Sequence, residues 1–126
     1  MPDTVVGDLI KGQEVVSITG SEPVRAAARI MFDRKVGSVL VMDGDTLQGI
    51  FTERDALYLF VATRRNPDTT PVADVMTLDP ATVGPDTTAR AAFDKMNAGG
   101  YRHLPVVRDG KVIGVVSERL LSGCLG

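Results

Sequence analysis

The chain is written twice. At an offset of 65 residues, "VLVMDGDTLQGIFTERDAL" (Val39 to Leu57) falls without a gap on "LPVVRDGKVIGVVSERLLS" (Leu104 to Ser122). Arg25-Ala26-Ala27 falls on Arg90-Ala91-Ala92, and Met31 on Met96. Upstream, "VGDLI" (Val6 to Ile10) matches "VADVM" (Val72 to Met76) at an offset of 66. Self-similarity on this scale marks one supersecondary unit used twice. The two copies divide the chain into residues 1–65 and 66–126, joined by "TRRNPDTTP" (Thr63 to Pro71), whose polar residues and two prolines read as a linker.

Each copy has the same order of elements, β-α-β-β-α. A short strand ("EVVSI", "PATVG") leads to Ser21 or Asp86, side chains able to accept from the free N–H groups of a starting helix. Val24, Ala27, Ala28 and Met31, and again Ala89, Ala92, Phe93 and Met96, then form one apolar stripe per helix. Gly99-Gly100 should end the second of these helices. Two apolar runs follow, joined at "DGD" or "RDG", with Asp-Gly as the hairpin signal. "SVLVM" and "LPVV" are continuous enough to be strands covered on both faces. A last helix should start at Glu53 or Glu118, and Gly49 and Gly114 should lie where the preceding strand is closely approached.

Charge and residue inventory remove several function classes. With 14 Lys and Arg against 16 Asp and Glu, the net charge is −2 and the cations are dispersed, so nothing advertises nucleic acid. The single Cys124 cannot close an internal disulfide and has no metal-binding neighbours in sequence. The one histidine, the one cysteine, and the lack of a P-loop, nucleophile elbow or metal-ligand spacing argue against an enzyme. No apolar run nears the ~20 residues of a membrane helix. "MPDTVVGDLI" lacks a basic region followed by an apolar core, so a cytoplasmic address is expected.

"DVMT" (Asp74 to Thr77), "YRHLPVV" (Tyr101 to Val107), "DGKVIGVVS" (Asp109 to Ser117) and "GIFTERD" (Gly49 to Asp55), in this order and within both halves, resemble the CBS domain, named after cystathionine β-synthase. The resemblance covers nearly the whole chain and implies a tandem pair packed about a pseudo-twofold axis. It also implies clefts that take an adenosine derivative such as AMP, ADP, ATP, NAD or S-adenosylmethionine, with no catalytic cofactor. In that family a Thr or Ser at the end of the last strand, followed three residues later by Asp, holds the nucleotide. The carboxylate can accept from both ribose hydroxyls.

Carried onto this chain, the resemblance nominates Thr52 and Asp55 in copy one. In copy two Ser117 keeps the hydroxyl, but Leu120 stands in the place of the aspartate. Phosphate-facing cations are implied at Arg102, His103 and Arg119, helped by free N–H groups at the start of the last helix. Val16, Ile18 and Thr82, on the first strand of each copy, are implied beside adenine. Both asymmetries favour a single cleft, with Asp55 on one side and the Arg102, His103 and Arg119 group facing it. Each residue also has a plainer role: helix caps for Thr52 and Ser117, a first-turn carboxylate for Asp55, core for Val16 and Ile18.

The leading expectation is therefore a non-catalytic sensor of an adenine nucleotide that regulates an unidentified protein. The alternative is a ligand-free module for interaction or dimerisation. A homodimer is expected through exposed apolar residues of the helices, with Leu57, Phe60, Val61, Leu120, Leu121 and Leu125 as candidates.

Overall fold

Two Asp-Gly turns organise the two halves. In a computed structural model describing residues 4–125, β2 (Ser38–Asp43) returns through Gly44 and Asp45 into β3 (Thr46–Thr52). β5 (His103–Arg108) returns through Asp109 and Gly110 into β6 (Lys111–Ser117). Gly44, Asp109 and Gly110 have φ of 59°, 50° and 80°, the left-handed backbone that two-residue hairpins require and that Gly and Asp tolerate. Both hairpins carry an irregularity at the same repeat position, between Val41 and Met42 and between Val106 and Val107. Val39, Leu40 and Val41, like Leu104, Pro105 and Val106, are fully buried, as their unbroken apolar runs require.

The hairpins sit between helices: α2 (Val24–Arg34) and α3 (Glu53–Ala62) around the first, α4 (Ala89–Gly99) and α5 (Glu118–Leu125) around the second. The expected stripes are inside, with Val24, Ala27 and Met31 buried on α2 and Ala89, Ala92 and Met96 on α4. α4 ends at Gly100 with φ 75°, and α2 ends the same way at Lys35 with φ 57°. The N–H groups of Val36 and Tyr101 donate back to the carbonyls of Met31 and Met96, each at 3.0 Å, closing both helices alike.

Ser21 and Asp86 are not the helix caps. α2 is preceded by Pro23, without a side-chain cap, and α4 by Thr88, whose hydroxyl accepts from Ala91 N–H at 3.1 Å. The first strands are also shorter than expected. "EVVSI" contributes only β1 (Ser17–Ile18), parallel to β2, and "PATVG" only a bridge from Val83 to Val106. The difference at the helix starts reflects where each helix finds partners for its first N–H groups.

Those partners come from the other repeat. The chain forms two compact units, one of residues 16–80 and one of residues up to 15 together with those from 81 onward. They are a different partition from the sequence halves 1–65 and 66–126, because each repeat gives up its leading segment. In the unit of residues 16–80, Val24 and Arg25 N–H donate to the carbonyls of Thr70 and Pro67 at 2.9 and 3.0 Å. The stretch that reads as a linker is thus the cap of α2. It is a folded turn: Thr70 is buried and its hydroxyl donates to Asn66 O at 2.7 Å, and Asp68 forms a two-pronged ion pair with Arg25. The Arg25 hydrogen bonds hold the Asp68 carboxyl below its ordinary range. In the other unit Ala89 N–H donates to Thr4 O at 2.7 Å, and Val6 N–H to Thr87 O at 2.8 Å. Val72 and Val6, the equivalent first apolar residues of the exchanged segments, are each fully buried, worth ~1.5–3 kcal/mol apiece.

The exchanged segments also cover the open edges of the hairpins. β4 (Thr77–Leu78) pairs with Gly49 and Ile50 of β3, completing a four-stranded sheet in the order β1-β2-β3-β4. At the matching place on β6 no strand is found among the described residues. Instead the Gln13 side chain imitates one, its Nε2 donating to Val115 O at 3.0 Å and its Oε1 accepting from Val115 N–H at 2.7 Å. Gly49 and Gly114 are where this cover comes closest. A Cβ on Gly49 would stand 2.7 Å from Thr77 O, and one on Gly114 would stand 2.7 Å from Ile10 Cδ1.

The exchange predicts how fragments behave. A fragment of residues 16–80 keeps Val72, Thr70 and β4 on its core, whereas a fragment of residues 1–65 lacks all three. Residues 16–80 should resist limited proteolysis and unfold more cooperatively in urea than residues 1–65, as followed by circular dichroism.

Candidate functional site

Thr52 and Asp55, and their repeat equivalents Ser117 and Leu120, fall at one structural position in each unit, where the second hairpin strand runs into the last helix. In the unit of residues 16–80, β3 ends at Thr52 and α3 begins at Glu53. Thr52 Oγ1 accepts from Asp55 N–H at 3.2 Å, while Asp55 Oδ2 accepts from Thr52 N–H at 3.0 Å. This is a reciprocal capping box. The plainer role foreseen for both side chains is therefore present. Asp55 is half-buried, and among the described residues its other carboxylate oxygen takes no hydrogen bond from the protein. Ser38, opposite Thr52 in the β2–β3 register, is a buried hydroxyl beside the cap.

The second-repeat unit builds half of the same device. Ser117 Oγ accepts from Leu120 N–H at 3.1 Å, but Leu120 returns nothing and packs against the unit's core. Its neighbour Leu121 is fully buried. Neither residue is thus an exposed apolar anchor, contrary to the sequence-based expectation; the Leu125 side chain lies outside the described residues. On α3, by contrast, Leu57, Phe60 and Val61 are exposed as expected, and Tyr58 with them.

The helix starts offer fewer free donors than expected. Glu53 N–H already donates to Gly37 O at 3.0 Å and Glu118 N–H to Arg102 O at 2.8 Å, tying each start to the residue before the neighbouring strand. With Asp55 and Leu120 N–H engaged by the capping hydroxyls, two of the first three N–H groups of each helix are used. Arg102 and Arg119 are exposed, and among the described residues neither pairs with a carboxylate. His103, opposite Ser117 in the β5–β6 register, is half-buried. Among the adenine-side candidates, Ile18 is buried in the core of its unit and Val16 is half-buried against it. Thr82 is half-buried, and its carbonyl accepts from Lys95 Nζ at 2.7 Å.

The candidates divide between the units. Val16, Ile18, Thr52 and Asp55 belong to residues 16–80, and Thr82, Arg102, His103, Ser117 and Arg119 to the other unit. Among the described residues no cluster of His, Cys, Asp or Glu could hold a metal ion.

Twice over, a strand ends in a hydroxyl that caps the next helix, and the repeat is matched as well by sequence: residues 6–62 and 72–122 each match the CBS domain. The chain belongs to the CBS domain family. It is 38% identical over 104 residues to the CBS domain-containing protein CBSCBSPB5 of Arabidopsis thaliana, a match covering 82% of this chain. The chain spans only 17–20% of the length of the five Arabidopsis relatives of this kind. It also superposes on the CBS-domain containing protein of Agrobacterium tumefaciens with a TM-score of 0.89 at 30% identity, covering 98% of this chain and 100% of that one. A CBS domain protein of Pyrobaculum aerophilum complexed with AMP gives a TM-score of 0.83 at 26% identity, covering 92% and 88% of the two chains. No helix among the described residues is long and apolar enough to cross a membrane.

The two CBS caps differ in a way that stability measurements resolve. Thr52→Ala and Ser117→Ala should each cost ~1 kcal/mol in urea unfolding, the usual loss for a capping hydroxyl. Leu120→Asp should cost about 1–2 kcal/mol despite completing a capping box, because it strips apolar contact from the core.

Proposed function

We propose that this CBS pair is a non-catalytic regulatory module that binds an adenine nucleotide, with Asp55 as the ribose-binding carboxylate. The observation that carries the reading is the Asp55 side chain itself, half-buried at the end of a strand with one oxygen holding the helix cap and the other without a partner among the described residues. The AMP complex of the Pyrobaculum relative supports the ligand class. Thr52 keeps the carboxylate in one rotamer through the capping box, so a ribose meets an acceptor already fixed in place. Val16 and Ile18 are proposed to stand beside adenine. Arg102, His103, Arg119, Thr82 and Ser117 are proposed as further ligand-binding residues, the two arginines acting on phosphate.

A second reading, a ligand-free interaction module, is favoured by a specific observation: Thr52 and Asp55 satisfy each other, and Leu120 turns the second cap into core packing. Nucleotide-induced thermal stabilisation separates the two. AMP, ADP, ATP, NADH, cyclic di-AMP and S-adenosylmethionine should be screened, since a ligand at ~100 times its dissociation constant adds nearly 3 kcal/mol to a folded state that alone binds it.

Calorimetry should find about one tight site per chain for the best ligand. Asp55→Ala should weaken it by one to two decades, the loss of a charged hydrogen bond of ~1.5–3 kcal/mol. Thr52→Ala controls for the cap, because it loosens the same turn but keeps the carboxylate. Arg102→Ala and Arg119→Ala should weaken ATP more than adenosine, and salt should narrow that difference. Wild-type affinity in Asp55→Ala would overturn the assignment, and no stabilisation by any nucleotide would favour the second reading.

A further inference from the structure

The two hairpins have equivalent outer edges and cover them differently. On β3 the cover is main chain: Thr77 and Leu78 of β4 stand opposite Ile50 and Gly49. Both β4 side chains are exposed, so this edge recognises extended backbone rather than side chains. On β6 the cover is a single carboxamide. Gln13 meets Val115, which at the 65-residue offset is the equivalent of Ile50, accepting from its N–H at 2.7 Å and donating to its carbonyl at 3.0 Å. The two covers follow one plan only as far as Met76 and Ile10, which come up against Gly49 and Gly114 in turn. Beyond Met76 the chain continues as β4; beyond Ile10 it turns back, Gln13 N–H donating to Ile10 O at 2.8 Å and Gly12 taking a φ of 78°. The place that β4 holds on β3 is therefore held on β6 by one side chain.

We infer that the outer edge of β6 is a docking site for an extended peptide segment of another protein, which adds a strand to the β5–β6 hairpin by displacing the Gln13 side chain. The pairing chemistry selects that occupant. An uncovered sheet edge offers main-chain N–H and C=O groups, and an added strand is the partner that matches them in series. The Gln13 amide supplies one donor and one acceptor, which is what one residue of an opposing antiparallel strand supplies, so a peptide backbone replaces it bond for bond. β6 runs for seven residues, Lys111–Ser117, and the amide engages only Val115. The amide is also lightly held: residues 11–15 are all exposed, and a Cβ on Gly12 would meet nothing within 4 Å. The sister edge shows the occupied form, since β4 is extended main chain on the equivalent residues. The inference stands independently of nucleotide binding.

The probe is the acetylated and amidated peptide DVMTLDP, the chain's own residues 74–80, which contain the strand that the sister edge accepts. Titrated into the isotope-labelled full chain, it should shift the amide resonances of Val115 and its neighbours on β6 in a saturable way. Gln13→Ala, at an exposed position, should leave the circular dichroism spectrum unchanged and bind the peptide roughly threefold or more tightly, because the competing amide is gone. The same peptide N-methylated at both its Thr and its Leu should bind neither protein, since its main chain can no longer donate. Shifts at Gly49 and Ile50 in place of Val115, equal affinity in wild type and Gln13→Ala, undiminished binding of the N-methylated peptide, or no shift in Gln13→Ala at millimolar peptide would overturn the inference. Dimerisation of Gln13→Ala alone, followed by sedimentation, would overturn the foreign peptide as occupant in favour of a second copy of the chain.

Discussion

The first N–H groups of α2 and α4 are the constraint on which both units depend. A helix that starts beside a core cannot leave its opening donors without partners, since each buried unpaired group costs ~1–3 kcal/mol. α2 has no side-chain cap and α4 has only the Thr88 hydroxyl, on Ala91 N–H. Both take backbone carbonyls from a segment of the other repeat: Thr70 and Pro67 for α2, Thr4 for α4. The commitment of each segment to the foreign helix then draws Val72 and Val6 into the foreign core and lays β4 or Gln13 along the foreign hairpin edge. Two repeats that look independent in sequence are thereby made unable to complete their cores separately.

What could be read in advance follows from the range of the forces involved. Hairpins, bulged strands and helix stripes are local, and their signals, Asp-Gly turns and apolar periods, lie within a few residues of what they specify. Gly49 and Gly114 were legible as points of close approach without any indication of what approaches. The exchange of segments is a long-range pairing, and nothing in "TRRNPDTTP" distinguishes a solvent linker from a turn whose carbonyls cap α2. Ser21 and Asp86 have the right chemistry for a cap; they are displaced because backbone acceptors from the exchanged segments reach the helix starts at Val24 and Ala89. Gln13 carries no pattern at all, since a lone side-chain amide paired with Val115 leaves no periodic trace.

At the candidate site the sequence left the use of Thr52 and Asp55 open. The Thr52 and Asp55 spacing is compatible with a helix cap and with a ribose clamp, and the structure realises the cap through one carboxylate oxygen. The expected supply of free helix N–H groups is reduced for a reason invisible locally: Gly37 and Arg102 precede strands that pair with β3 and β6, so their carbonyls necessarily meet Glu53 and Glu118.

The difference between Asp55 and Leu120 also explains why the two last helices are anchored differently. On α5 the apolar bulk lies at the start, in Leu120 and Leu121, and thins to Cys124 one turn later. On α3 the order is reversed: Asp55 and Ala56 stand at the start, and the buried leucine is Leu59. The start of α5 is therefore seated by apolar contact, whereas the start of α3 is held by a pair of hydrogen bonds that water can reach. Copy one combines the hydrogen-bonded cap with an exposed apolar face on the same helix, whereas the start of the last helix in copy two is packed into the core. The difference between the repeats is thus concentrated on one helix, with a capped polar start at Asp55 and an exposed apolar side at Leu57, Phe60 and Val61.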